Sequence, residues 1–153
     1  MELSFRVFGR ISRPVGDVFE AVVDPASLSQ YFTTGGAVGR LEEGARVTWD
    51  FADFPGAFPV EVVTAERDER IVLRWGLEDD PNRPAGTGET QVILQFSDCG
   101  DGRTLLEITE SGWAATDAGL KASYGNCMGW SQFICALKVW LEYGIKLRKG
   151  FYV

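Results

Sequence analysis

Side chains able to do chemistry are few in this sequence. It holds no histidine, which removes the commonest general base, the usual triad partner and the commonest zinc ligand together. Three thiols remain, at Cys99, Cys127 and Cys135. Without a histidine, and with no basic residue directly beside Cys127 or Cys135, neither has a partner to hold it as a thiolate. Both read as buried structural cysteines. Ser12, Ser111 and Ser131 have no recognisable base, and the acid pairs Glu42-Glu43 and Asp79-Asp80 fall in turns or loops, where they read as solvated charge. No glycine cluster has the spacing of a phosphate cradle. The sequence therefore assigns no catalytic residue, metal site or cofactor. One carboxylate stands out. Glu110 follows Leu106 and Ile108 at steps of two, so it faces inward at the end of its strand, just before Gly112-Trp113. Two readings stay open: an acid at a cavity rim whose pKa is raised by desolvation, or a solvated strand-end carboxylate with an ordinary value of about 4.

The segment that must position such groups is Asp117–Gly144. Cys127, Trp130, Ile134, Leu137 and Leu141 recur at helical spacing and put one apolar stripe on one face. Gly144 is its expected left-handed stop, with Gly150 the alternative. On the helix, Cys127 and Cys135 would stand about 12 Å apart, beyond the roughly 7 Å reach of a disulfide.

Ahead of this helix the pattern changes to period two. Residues 2–12 place Leu3, Phe5, Val7 and Ile11 on one face. Further strands are expected at Ala37–Leu41, Ala45–Phe51, Phe58–Glu66, Arg70–Leu77, Thr90–Phe96 and Thr104–Glu110, with short polar turns between them. After the first strand, Pro14 suits the first position of a helix carrying Val15, Val18, Phe19 and Val22. Asp24-Pro25 ends it and caps a second short helix running through Leu28 to Tyr31-Phe32. Glu78–Gly88 reads as a mobile surface loop. The result is an α+β chain in which a curved antiparallel seven-stranded sheet wraps a long C-terminal helix, with two short helices between strands 1 and 2.

Composition sets outer limits. The 153 residues suit one domain, 1–153, and a domain near this size buries roughly 70% of its unfolded surface. Net charge is −7, which disfavours nucleic acid, because phosphate binding requires cations. The one basic cluster, Lys146, Arg148 and Lys149, reads as a complement to a helix C-terminus. Three thiols with no CxxC pair point to a reducing, cytoplasmic setting. Neither a signal core at MELSFRVFGR nor a membrane-spanning run is present.

With this order in hand, IxxPVGDVFEAVVDPASLSQYF from Ile11 resembles the opening of the SRPBCC, or START-like, superfamily. Gly102–Trp113 followed by Gly129–Gly144 is similar to the close of its heat-shock-protein-90 ATPase activator-homologue branch. The resemblance implies the helix-grip fold, with an elongated apolar cavity between sheet and helix. Strand parity and that fold together nominate Trp49, Phe51, Phe58, Trp75, Leu94, Leu106, Ile108 and Glu110 as ligand-binding positions. Trp130, Ile134 and Leu137 face them from the helix, Tyr31 and Phe32 close one end, and Trp113 lies beside Glu110. The expected partner is a small hydrophobic or amphipathic ligand, a lipid included. The resemblance also implies a chaperone-activating interaction module, though it covers only the C-terminal domain of the larger eukaryotic activator, and the superfamily includes aromatic-cyclase-type enzymes. The apolar tail Phe151-Tyr152-Val153 is suited either to a second subunit, giving a homodimer, or to covering the sheet.

Overall fold

The computed structural model describes residues 1–153. Chain order is β1 (Ser4–Ile11), α1 (Val15–Val23), α2 (Pro25–Tyr31), β2 (Gly36–Val38), β3 (Arg46–Phe51), β4 (Phe54–Glu66), β5 (Arg70–Trp75), β6 (Thr90–Asp98), β7 (Thr104–Ser111) and α3 (Asp117–Tyr143). The strands form one sheet in the order β1-β7-β6-β5-β4-β3-β2, antiparallel throughout. This is the expected seven-stranded sheet curved around a long C-terminal helix, with two short helices between the first two strands.

Alternation places the core. In β7 the inward residues Thr104, Leu106, Ile108 and Glu110 are buried, while each intervening residue is half-exposed. β6 does the same with Thr90, Val92, Leu94 and Phe96. The register sets Val92 opposite Glu110 and Thr90 opposite Trp75, so the polar inward residues gather at one end of the sheet. Two irregularities break the period, between Trp49 and Phe51 on β3 and between Val62 and Thr64 on β4. Strand ends differ from expectation here: β2 stops at Val38, and β4 begins four residues early, at Phe54.

The helices follow their caps. Asp24 accepts the Ala26 and Ser27 amides, each at 3.3 Å, with Pro25 at the first turn of α2. Pro14 is the N-cap residue of α1, one position before the expected place, and its extended backbone lets its carbonyl accept from Asp17 and Val18. Thr116 caps α3 by accepting the Gly119 amide at 3.0 Å. α3 ends at Gly144, whose φ of 68° is left-handed and whose amide returns to the Trp140 carbonyl.

α3 lies against β1 at Gly9. A Cβ there would come within 2.7 Å of the Ile134 side chain, so the close approach requires glycine. The two halves of the helix do different work. Phe133, Ile134, Ala136 and Leu137 are buried in the main core with Leu94, Leu106 and Ile108. Of the three glycines in the half before Trp130, Gly119 has no room for a side chain, whereas added Cβ atoms at Gly125 and Gly129 would meet nothing within 4 Å.

Candidate functional site

The open space lies beside that glycine-bearing half of α3. It is a cavity of about 500 Å³, within the range of small-molecule sites. Phe58 of β4, Trp75 of β5 and Thr90 of β6 form the sheet side. Asn126, Gly129 and Trp130 of α3 face them, and Phe32 and Phe51 close one end. Residues 80–88 supply Asp80, Asn82, Arg83, Pro84, Thr87 and Gly88, and the chain beyond α3 supplies Arg148 and Tyr152.

Aromatic edges fix these walls. Trp130 packs on Trp75 at 5.4 Å between centroids, on Phe32 at 5.5 Å and on Phe133 at 5.1 Å. Phe58 stacks on Phe51 at 5.9 Å and meets Trp75 edge-on at 5.8 Å. Interlocked rings at these separations make a rigid apolar wall.

Beneath the wall lies Glu110, with no exposed surface. Its Oε2 accepts from Trp75 Nε1 at 2.8 Å, Thr90 Oγ1 at 2.7 Å and Asn126 Nδ2 at 2.9 Å. Its Oε1 accepts from Trp130 Nε1 at 2.9 Å. All four partners are neutral, and all four line the cavity. Burial pushes the Glu110 carboxyl above its ordinary value, against the opposing pull of the four donors. Of the two readings open from the sequence, the buried acid with a raised pKa is the one that fits. It sits under the cavity wall rather than at a rim.

A second buried carboxylate stands at the far side. Asp53 pairs with Arg148 at 2.8 Å, their side chains 5% and 8% exposed, and also accepts from Thr34 Oγ1 at 2.8 Å. Burial raises the Asp53 pKa, but the Thr34 and Arg148 hydrogen bonds outweigh it and hold the group below its usual value. Arg148 further donates to the Phe32 carbonyl at 3.2 Å and lies 5.2 Å from the centroids of both Phe51 and Tyr152. Tyr152 in turn hydrogen-bonds Gln132 and meets Phe54 edge-on at 5.2 Å. The C-terminal tail thus folds back over the cavity end.

The nominated positions divide by depth. Phe32, Phe51, Phe58, Trp75, Trp113 and Trp130 line the cavity. Leu94, Leu106, Ile108, Ile134 and Leu137 are packed in the core away from it. Tyr31 is buried with its hydroxyl donating to the Ala21 carbonyl at 2.9 Å, and Trp49 is 1% exposed behind Trp75 and Trp130.

Three expectations are corrected. Arg148 serves Asp53 and the Phe32 carbonyl rather than a helix dipole, because α3 ends before it. Glu78–Gly88 is no free loop: Asn82 Nδ2 donates to the Ala57 carbonyl at 2.8 Å, Arg83 to the Gly76 carbonyl at 3.0 Å, and the Gly86 carbonyl accepts from Thr116 at 2.9 Å. Cys127 is half-buried and Cys135 exposed, since the stripe on α3 centres on Phe133 and Ala136 rather than on the cysteines.

The sequence reading missed Thr90, Asn126, Arg148 and Tyr152. Two of these carried a signal. Thr90 shares the parity of Val92 and Leu94, and Asn126 precedes Trp130 by one helical turn. No group of three or more Cys, Asp or Glu is arranged to hold a metal ion, and no helix is long and apolar enough to cross a membrane.

Comparison with known proteins agrees with this architecture. Protein SSP2350 from Staphylococcus saprophyticus is 23% identical, with a TM-score of 0.77 over 95% of this chain and 96% of that one. DynU16, a protein of the dynemicin biosynthetic locus, is 29% identical with a TM-score of 0.73, over 92% of this chain but 48% of its own. The Aha1 protein from Colwellia psychrerythraea, described as a dimer in solution, is 19% identical with a TM-score of 0.74, over 93% of this chain and 98% of that one. No curated protein matches the sequence. Residues 12–142 match the profile of the Activator of Hsp90 ATPase homolog 1-like protein family, and the chain belongs to that family.

Proposed function

We propose that residues 1–153 form a single START-like domain that binds a small hydrophobic or amphipathic molecule in the cavity between the sheet and the first half of α3. The observation that carries this reading is the pair Gly125 and Gly129. Glycine inside a helix costs about 1 kcal/mol relative to alanine, and at both positions a side chain would meet open space rather than a neighbour. Helix stability favours larger residues there. Both glycines line the space of about 500 Å³ that faces the rings of Phe58 and Trp75. The free thiols Cys99, Cys127 and Cys135 fit the same reading in a reducing cytoplasm.

A thermal-shift screen with lipids, flavonoids and fused aromatic rings tests the proposal. A ligand at a hundred times its Kd adds about 2.7 kcal/mol of stability by mass action, so a cavity binder raises Tm clearly. Uniform silence across all three classes counts against it.

A second reading has its own observation. Leu120, Tyr124 and Met128 lie one turn apart on α3 and are 38%, 68% and 52% exposed, which makes an apolar ridge suited to protein contact. A second copy of this chain is the first partner to test, since the Colwellia psychrerythraea relative is described as a dimer, and a chaperone is the next. Sedimentation of the protein alone and with Tyr124→Lys separates the two: a dimer that the charge dissolves supports self-association, and a monomer in both cases leaves the ridge to another protein.

A further inference from the structure

We infer that the cavity selects a cationic ligand: an aromatic or aliphatic amine, protonated or quaternary, seated against the indole of Trp75 with Trp130 and Glu110 behind it. The inference rests on the reading of the cavity as a small-molecule site and adds the charge of its occupant.

The argument starts from the fixed charges around the cavity. Arg148 lines it, but its charge is paired with Asp53 at 2.8 Å, and it donates to the Phe32 carbonyl at 3.2 Å, with only its Nε left unpartnered. Asp80 and Arg83 lie on the same rim loop with opposite signs, and Arg83 donates to the Gly76 carbonyl at 3.0 Å. Those charges offset one another. Glu110 has no such offset, because Trp75, Thr90, Asn126 and Trp130 supply dipoles and no positive charge. Three of these groups, the two indoles and the carboxamide N–H, can only donate. They converge on the carboxylate and favour its ionised form against the effect of burial.

A buried charge without a counter-charge leaves a negative potential in the space next to it. Here that space is the cavity itself, since every donor to Glu110 is also a cavity wall. Trp75 carries the charge outward. It turns its Nε1 edge to Glu110 while its half-buried ring forms the wall, and an indole that donates to a carboxylate becomes more electron-rich across its face. Trp130, 2% exposed and stacked on Phe32, supports Trp75 from behind. An electron-rich tryptophan face is the preferred aromatic seat for an organic cation. An anion brought to the same place would meet both the carboxylate and the ring faces. A bare metal ion would find no cluster of acidic or thiol ligands on the cavity surface, because Glu110 itself is sealed behind its donors. The protein's net charge of −7 also draws cations toward the site over longer range.

Isothermal titration with three naphthalene probes of matched length, ending in an alcohol, an ammonium or a carboxylate, tests the inference at pH 7 and 0.15 M salt. The expected order is ammonium, alcohol, carboxylate, with the ammonium at least tenfold tighter than the alcohol. Glu110→Gln should bring the ammonium to the affinity of the alcohol while the alcohol still binds. Glu42→Gln, which removes a charge whose side chain is 71% exposed, should leave the order intact and so exclude a general effect of net charge. If Glu110→Gln does not fold, the order of the three probes on the unaltered protein decides by itself. An alcohol bound as tightly as the ammonium overturns the choice of a cation and leaves the cavity reading standing. Failure of all three probes overturns both.

Discussion

Two buried carboxylates flank one cavity, and the protein treats them in opposite ways. Asp53 is met by a guanidinium and a hydroxyl, and its pKa falls. Glu110 is met by two indoles, a hydroxyl and a carboxamide, and its pKa rises. Glu110 is the more deeply buried of the two, and the sign of what surrounds them differs as well. A cation cancels the charge locally, whereas neutral dipoles solvate it and leave its field in place. Asp53 therefore works as a structural clamp that fastens the C-terminal tail across 95 residues of chain. Glu110 sits where a bound molecule can complete its environment.

Separate substitutions break the comparison at each end. Arg148→Met should cost the most, about 3–5 kcal/mol, because it leaves Asp53 buried without its cation. Urea unfolding measures this, and a loss under about 1 kcal/mol would mean the pair behaves like an exposed bridge. Glu110→Gln should cost about 1–3 kcal/mol, since the amide turns a donor toward groups that can only donate. Equal or greater stability in that variant would contradict the assignment of Glu110 as the shared acceptor.

The pH dependence should separate the two further. A lowered Asp53 pKa contributes stability that is present above the ordinary aspartate value of 3.8 and lost as pH falls through the lower folded value. Glu110 acts with the other sign. Its folded form holds the proton to higher pH than its unfolded form, so its contribution falls as pH rises from 4.5 through the raised folded value. Melting curves between pH 3 and 7 should show the acid-side loss diminished in Arg148→Met and the loss above 4.5 diminished in Glu110→Gln. Smallest of all, Gly125→Ala and Gly129→Ala should each gain about 0.5–1 kcal/mol from helix propensity alone. A loss at either position would show that the space beside it is not free.

Much of this was legible in the sequence wherever the signal is local. Period two marked the strands, the stripe through Trp130, Ile134 and Leu137 marked α3, and Gly144 marked its end. Parity even turned Glu110 inward. Parity gives the face a residue points to, but not its depth along the sheet. It could not separate Phe58 and Trp75, which line the cavity, from Leu94 and Ile108, which fill the core. The breaks in register at Val62–Thr64 and Trp49–Phe51 left no mark in composition. Pairing of Asp53 with Arg148, and convergence of Thr90 and Asn126 on Glu110, depend on distant segments meeting in space. A basic residue after a helix stop looks the same whatever it later reaches.

The open cavity is the central claim, and filling it tests that claim most directly. Gly125→Phe and Gly129→Phe place rings where a Cβ now meets nothing within 4 Å. The neutral naphthalene alcohol should bind the unaltered protein saturably, one molecule per chain, and should lose that binding in the double variant while the circular dichroism spectrum and the unfolding transition persist. Undiminished binding by the filled variant would place the ligand elsewhere and contradict the account.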